Sequence, residues 1–240
     1  MITLNEVIIN EVKEHARKEF PRECCGLLAI IKGKQHYYPC KNIATNDSDF
    51  ILDPLDYVII EDFVKSHAGD IAAVIHSHPV SSSDPTMIDQ KGCEMSGLQW
   101  VIYSPKYESW HYFKPNGYRA PLFGRPFKHG VFDCYSAVKD WYATKGIFLP
   151  EFEREELWWQ KGQDIILENF EKAGFKRVDD GSIKENDGLL ITHGSQIVNH
   201  CAVYIGNDQV FHQTMNRLSG REIYGGLLKK NTRMVIRYQR

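Results

Sequence analysis

The segment 114–126 constrains the fold of this 240-residue chain most, because it separates two differently organised halves. It carries three prolines and two glycines in thirteen residues, a composition that interrupts helices and strands. Helix and strand patterns alternate before this segment, whereas helices come first and strands follow after it. The sequence therefore predicts two domains, residues 1–113 and 127–240, joined by a linker at 114–126.

The N-terminal half has the pattern of an α/β domain. Apolar residues at helical spacing predict helices over 4–20 and 54–68 and a third one from about Thr86. Helix 54–68 carries Leu55, Val58, Ile59, Phe63 and Val64 on one face. Short apolar runs, closed by turn residues, predict strands at 26–31, 35–38, 71–75, 100–103 and 110–113.

The C-terminal half has the pattern of an α+β domain. Helices are predicted from Asp133 and over 162–173. Strands are predicted at 188–192, 200–205, 209–213 and 234–238. Between them, Trp158 and Trp159 fit either an exposed docking patch or a half-buried core position.

Composition excludes several classes of protein. The net charge of −2 argues against a dedicated nucleic-acid binder. Residues up to His111 carry 10 basic and 16 acidic side chains, and the remainder carries 19 basic and 15 acidic ones. A basic surface beside Cys134 in the second half would suit an anionic polymer. The chain shows neither a signal peptide nor a membrane-spanning segment. Its six cysteines form no disulfide framework and no CxxC zinc motif.

Two histidines close a predicted apolar strand, which reads Ile-Ala-Ala-Val-Ile-His-Ser-His from position 71. Because alternate residues of a strand share a face, His76 and His78 project together. Asp89 follows on the next helix and is placed to return as a third ligand. Two imidazoles, one carboxylate and an open fourth position make a catalytic zinc arrangement, with Glu23 as the candidate general base. An HxH pair by itself is also common without any metal.

The set of Glu23, His76-Ser-His78-Pro, Thr86 and Asp89 resembles the JAMM (MPN+) metalloprotease motif, over residues 1–113. The resemblance implies one zinc ion held by His76, His78 and Asp89, and Glu23 as the acid and base of the reaction. It also implies that the hydroxyl at position 86 stabilises the oxyanion, although the family usually has Ser where this chain has Thr86. The alternative is a retained fold with a weak or empty site.

A candidate nucleophile opens the helix of the second half. Asp133 is a good N-cap, so Cys134 lies in the first turn, where the helix dipole favours a thiolate. His200 and His212 are symmetric about Gly206 in a predicted hairpin and therefore lie nearly opposite each other on one face. This predicts a Cys-His-His triad in which His200 deprotonates Cys134 and His212 orients His200. Each residue alone also has a simpler interpretation: Cys134 as a core residue, and His200 and His212 as surface residues.

Phe-Asp-Cys134, His200-Cys-Ala-Val-Tyr-Ile-Gly and Phe-His212 resemble the NlpC/P60 family of cysteine peptidases over residues 127–240. The resemblance implies an α+β, papain-like fold and hydrolysis of peptidoglycan stem peptides by Cys134, His200 and His212. Many members have Ser directly after the cysteine, whereas here Tyr135 intervenes before Ser136. The other cysteines are predicted to be structural: Cys24, Cys25, Cys40, Cys93 and Cys201.

A JAMM-like domain followed by an NlpC/P60-like domain resembles the tail tip assembly protein K family of long-tailed bacteriophages. The segments 93–100, 129–136 and 157–162 add to this resemblance. It implies a hydrolase with a cysteine peptidase domain and a zinc metallopeptidase domain. Its partners would be other tail-tip proteins, and its substrate would be peptidoglycan. It also implies synthesis in the host cytoplasm, delivery on the virion tail tip and action on the host cell wall from the periplasm.

Two other functions compete with this interpretation. One is a mainly structural tail-assembly factor in which one or both active sites are vestigial. The other is a cellular isopeptidase that acts on a ubiquitin-like modifier, which the NlpC/P60-like half disfavours.

Overall fold

The computed structural model describes residues 1–239, and the chain divides into two compact units, Met1–Arg119 and residues 120–240. The division falls inside the segment 114–126. In the first unit the Glu94 carboxylate accepts hydrogen bonds from three successive backbone N–H groups, at residues 116–118. In the second unit Arg125 is only 1% exposed and donates to Asp140. Residues 116–118 are therefore hydrogen-bonded within the first unit, and Arg125 is hydrogen-bonded within the second.

The first unit consists of three helices and a five-stranded sheet. Its elements are, in chain order, α1 (Glu6–Glu19), β1 (Cys25–Ile31), β2 (Lys34–Cys40), α2 (Pro54–Ser66), β3 (Gly69–Ser77), α3 (Met87–Ser96), β4 (Gln99–Ser104) and β5 (Ser109–Phe113). The strand order is β2-β1-β3-β4-β5. Only β3 and β4 run parallel, and α3 makes the crossover between them. The α/β class predicted for this half is correct.

Helix α1 shows how sequence directs packing in this unit. Asn5 caps the helix, because its side-chain oxygen accepts from the Ile8 backbone N–H at 3.0 Å. Ile8, Val12 and Ala16 recur every four residues and are all buried against the sheet. One apolar stripe therefore fixes the face on which α1 packs.

Helix α2 packs differently from the predicted pattern. Of the five apolar residues assigned to one face, only Val64 is buried, while Leu55 is 71% and Ile59 is 66% exposed. Tyr57 and Ile60 complete the inner face with Val64. The helix carries apolar residues on two sides, and spacing alone does not tell which side meets the sheet. The predicted face was wrong for this reason.

Two equal substitutions on α2 test this packing. We expect Val64→Ala to lower the free energy of unfolding by about 2 kcal/mol, because it removes two buried methyl groups and leaves a cavity. We expect Val58→Ala, at a position that is 53% exposed, to change it by less than about 0.5 kcal/mol. Urea unfolding of both variants measures the difference, and a loss for Val58→Ala as large as that for Val64→Ala would contradict the burial of Val64 alone.

The second unit consists of short helices and a six-stranded antiparallel sheet, which is the α+β class predicted. Its elements are α4 (Cys134–Ala143), a 3₁₀ turn (Trp158–Lys161), α5 (Ile165–Asn169), β6 (Phe175–Arg177), β7 (Gly188–Ile191), β8 (His200–Gly206), β9 (Gln209–His212), β10 (Gly220–Ile223), α6 (Gly226–Lys230) and β11 (Thr232–Tyr238). The strand order is β10-β9-β8-β7-β11-β6.

The helix predicted over 162–173 is much shorter in the structure. Gly162 adopts a φ of +77° and closes the 3₁₀ turn, so the helix cannot begin there. Helix α5 covers only Ile165–Asn169, and the Asn169 side chain donates to the Ile165 carbonyl at 2.8 Å.

The structure also places the tryptophan pair. Trp158, at 3% exposure, is a core residue, and Trp159 is partly buried. In residues 1–239, no helix has the length and apolar character that crossing a bilayer requires.

Candidate functional sites

Strand pairing brings the first site together. Cys25 lies opposite His76 in the β1–β3 ladder, and the Ser77 N–H donates to the Cys24 carbonyl at 3.0 Å. Continuing this register places Glu23 across from His78, at the end of the same sheet. Asp89 reaches the site from the first turn of α3. Residues distant in sequence thus meet at the ends of β1 and β3 and the start of α3.

The three predicted ligands converge with zinc-like spacing. His76 Nε2 lies 3.2 Å from His78 Nε2 and 3.2 Å from Asp89 Oδ1, and His78 Nε2 lies 3.4 Å from Asp89 Oδ2. In a tetrahedral zinc site with bonds of about 2.0–2.1 Å, neighbouring ligand atoms are about 3.3–3.4 Å apart. The donor set and its spacing therefore fit a zinc ion. Within the described residues, this trio meets the geometric requirement for a metal site.

The ligands are held by neighbouring groups. His78 Nδ1 lies 2.8 Å from the Ser82 carbonyl, so Nδ1 carries the proton and Nε2 keeps its lone pair for a metal. The Asp89 side chain accepts from the Thr86 N–H and from the Thr86 hydroxyl, both at 2.7 Å. Burial opposes ionisation of Asp89, but hydrogen bonds and charge from His76 and His78 hold its pKa well below the usual range.

His76 is fully buried, and Phe50 stacks on its ring with the centroids 4.5 Å apart. Burial lowers the pKa of His76, so its imidazole is neutral and able to bind a metal. Its Nδ1 atom has no hydrogen-bond partner within residues 1–239. His76 is therefore held by packing rather than by a second hydrogen bond.

Glu23 and Thr86 complete the predicted set. Glu23 is only 7% exposed, and its charge favours the protonated form of His78. Although burial opposes that form, Asp89 outweighs it and the pKa of His78 is raised. The Thr86 hydroxyl donates to Asp89 and accepts from the Asp89 N–H at 3.2 Å, as a helix capping box. The hydroxyl proton of Thr86 therefore orients Asp89, a candidate metal ligand. The role of this hydroxyl toward an oxyanion stays a prediction.

A buried ion pair builds the second site at the start of α4. The Asp133 side chain caps the helix by accepting from the Ser136 N–H at 2.9 Å, and Ser136 Oγ accepts from the Asp133 N–H. Arg154 donates to both Asp133 oxygens, at 2.8 and 3.1 Å. Cys134 is the first residue of the helix, where backbone N–H groups have no intrahelical acceptor.

Cys134 has the electrostatic setting of a nucleophile. It is partly exposed, and its sulfur is hydrogen-bonded by the Cys201 thiol and by His200. These two bonds outweigh burial and hold the pKa of Cys134 well below its usual value. The same contact and burial raise the pKa of Cys201, which therefore remains a protonated donor.

The two histidines extend from Cys134 as a hydrogen-bonded row. His200 Nε2 lies 3.0 Å from His212 Nδ1, and His212 Nε2 lies 3.2 Å from Glu222 Oε2. Both imidazoles are nearly buried. Burial and the charge of His200 lower the pKa of His212 to about 4, although Glu222 opposes the shift. His212 is therefore neutral at physiological pH.

A cavity of about 140 Å³ opens beside the thiol. Cys134 and His200 line it together with apolar side chains of α4, the 3₁₀ turn and α5, such as Val138, Trp158 and Ile166. Gln213 also lines it and donates its Nε2 to the Arg125 carbonyl at 3.0 Å. Its Oε1 atom is buried without a partner in the described part of the chain.

One relative matches nearly the whole chain and a second matches three quarters of it. The chain is 30% identical to tail tip assembly protein K of Escherichia phage N15 over 240 residues, which are 98% of this chain and 96% of that protein. It belongs to the tail tip assembly protein K family. The protein of the same name in Escherichia phage lambda is 33% identical over 180 residues, covering 75% of this chain and 88% of its own length.

Each unit of this family member also matches a domain family. Residues 5–114 match the prokaryotic homologs of the JAB domain, and residues 124–237 match the NlpC/P60 family. The desampylase of Haloferax volcanii is 29% identical over 102 residues, which are 41% of this chain and 73% of that protein. These matches support hydrolase-type domains in both halves.

The structure adds residues that the sequence analysis did not assign to a site. It brings Cys201, interpreted as structural, against Cys134, and it brings Glu222 to His212. It also ties Ser136 to Asp133, which gives that serine a capping role. A strand at 220–223 was not predicted, so no sequence signal placed Glu222 near the histidines. For Cys201, its position directly after His200 was the available signal.

Proposed function

We propose that this tail tip assembly protein K family member acts at a phage tail tip, where its second unit cleaves amide bonds in peptidoglycan stem peptides. The row of Cys134, His200 and His212 beside a cavity is the observation that supports this function most directly. A low thiol pKa, an adjacent imidazole and a second imidazole behind it are what nucleophilic amide hydrolysis needs.

In the proposed reaction, the Cys134 thiolate attacks the carbonyl carbon of the amide. The Cys134 backbone N–H, at the positive end of α4, donates to the oxyanion that forms. Protonated His200 then gives its proton to the leaving amine, and an acyl-thioester remains on Cys134. Water, deprotonated by His200, attacks the thioester and releases the acid. His212 holds the His200 ring in position throughout both steps.

The cavity indicates the chemistry of the substrate next to the scissile bond. Its apolar lining suits a small uncharged side chain, such as the methyl group of the alanines in a stem peptide. The free acceptor of Gln213 suits an N–H group of the substrate backbone. Together these features favour a peptide with an apolar residue beside the cleaved amide.

For the first unit we propose a zinc-dependent peptidase or isopeptidase site. His76, His78 and Asp89 would hold the zinc ion, which when bound supplies Lewis-acid activation of a water molecule and a carbonyl. Glu23, buried at the same end of the sheet, would take the proton from the water and pass it to the leaving amine. The Thr86 hydroxyl keeps Asp89 oriented.

The proposed setting follows from the family. Its relatives are named for tail tip assembly, so we propose that the protein is made in the host cytoplasm and joins other tail-tip proteins. It would then act on the cell wall, in the periplasm, when the virion infects. Assembly and hydrolysis are compatible roles for one chain with two units.

A phage that encodes Cys134→Ala tests whether hydrolysis matters beyond assembly. We expect full-length tails that adsorb normally but a loss of plaque formation of at least about a hundredfold, since removal of the nucleophile abolishes amide cleavage. A phage with Cys40→Ala, a buried cysteine in the first unit, should form plaques normally. Normal infection by the Cys134→Ala phage would instead favour a structural assembly factor with a vestigial site.

A further inference from the structure

Glu222 lies at the far end of the histidine row, outside the predicted triad. In the β9–β10 ladder, Gly220 lies opposite His212 and Glu222 opposite Val210. His212, Val210, Gly220 and Glu222 therefore share one face of the sheet. Since Gly220 has no side chain, the space opposite His212 is open to the diagonal Glu222 carboxylate, which lies 3.2 Å from His212 Nε2.

This contact determines where the protons of both histidines lie. A carboxylate only accepts hydrogen bonds, so Nε2 of neutral His212 must carry the proton that faces Glu222. Nδ1 of His212 is then an acceptor, and its partner at 3.0 Å, His200 Nε2, must be the donor. Neutral His200 is left with an unprotonated Nδ1, which is the nitrogen available to the Cys134 thiol.

We propose that Glu222 is a positioning residue that fixes the tautomers of His212 and His200, so that His200 Nδ1 is the base for Cys134. The inference rests on the peptidase function proposed above and adds a fourth member to its catalytic row. The carboxylate also favours a positive charge on the imidazoles, and therefore favours the thiolate–imidazolium pair over the neutral thiol and imidazole.

The other charged groups around the row do not replace Glu222. Arg217 Nη1 lies 3.7 Å from Glu222 Oε2, with both side chains largely exposed, so it screens the carboxylate only in part. The His193 ring lies 5.8 Å from the His200 ring and has a lowered pKa through burial and His200. On the side of α4, Arg154 pairs with Asp133. Within the described residues, no other carboxylate forms an ion pair with His212.

The pH dependence of Cys134 alkylation is the first test. We compare the wild-type protein with Glu222→Gln and with a matched control, Glu171→Gln, at an exposed position. Iodoacetamide rates between pH 5 and 9 are followed by peptide mass spectrometry of Cys134. We expect Glu222→Gln to slow alkylation about three- to tenfold near pH 6.5, because the thiol pKa rises when the carboxylate no longer stabilises the adjacent imidazolium. The rates should converge near pH 9, where the thiol ionises without help.

The second test measures the tautomers of His200 and His212 directly, and it does not require a reactive thiol. Imidazole ¹⁵N shifts are measured at pH 8 in Cys134→Ala protein, with and without Glu222→Gln. We expect protonated Nε2 on both His200 and His212 when Glu222 is present, and mixed tautomers when it is replaced. Protonated Nδ1 on His200 in the presence of Glu222, or no change on its replacement, overturns the inference.

The two tests separate this inference from the function on which it rests. If wild-type Cys134 alkylates with an ordinary thiol pKa of about 8.5, the proposed peptidase function fails, whatever the tautomers are. If wild-type Cys134 is reactive near pH 6 but Glu222→Gln and Glu171→Gln have equal rates and tautomers, only the role of Glu222 fails.

Discussion

Purified protein with Cys134→Ala is expected to release stem peptides from peptidoglycan sacculi at less than about one-thousandth of the wild-type rate. Loss of a nucleophile that acts with a histidine base typically costs three to six orders of magnitude. Hydrogen bonds from Cys201 and His200 hold the pKa of this thiol well below its usual value, which favours the nucleophilic thiolate form. Fragment release is measured by chromatography of the soluble products against time.

The neighbouring cysteine supplies the matched control. Cys201→Ala keeps the nucleophile and His200 but removes the thiol that donates to the Cys134 sulfur. We expect this variant to retain cleavage at a reduced rate, with the loss largest at low pH and recovering as the pH rises, because the pKa of the Cys134 thiol increases when the Cys201 donor is removed. Equal rates in wild-type protein and Cys134→Ala would refute the hydrolase function.

Local periodicity was enough to predict the parts of the two sites that lie on single elements. Alternation along β3 places His76 and His78 together, and they meet at 3.2 Å. In the β8–β9 hairpin Val203 pairs with Phe211, so His212 lies opposite Ala202 and diagonal to His200 on the same face, and the two imidazoles meet at 3.0 Å. In both cases the two histidines are close in sequence, so strand geometry alone fixes their separation.

The sequence did not predict contacts that depend on an unpredicted strand or on a helix with two possible buried faces. Glu222 meets His212 only because β10 pairs with β9, and the sequence of β10 has no strong strand pattern. The buried face of α2 was chosen wrongly because that helix is apolar on two sides, so the choice depends on the sheet it meets. The hydrogen bond from the Thr86 hydroxyl to Asp89 was likewise not predicted, while the role of that hydroxyl toward an oxyanion stays a prediction.

Removal of the two histidines of the first unit is expected to abolish zinc binding. We expect the wild-type protein to bind about one zinc ion per chain, and His76→Ala/His78→Ala to bind less than about a tenth of that after identical purification. Two of the three ligand atoms are lost, and a lone carboxylate binds zinc weakly. Elemental analysis of the dialysed proteins gives the stoichiometry.

Stability provides a second measurement of the same site, because a metal that binds only the folded chain raises its free energy of unfolding. At a free zinc concentration a thousandfold above the dissociation constant, the gain is about 4 kcal/mol. We expect added zinc to raise the melting temperature of the apo wild-type protein and of His67→Ala, an exposed histidine at the end of α2. It should leave His76→Ala/His78→Ala unchanged. Equal zinc contents or equal shifts in all three proteins would show that these residues are not its ligands.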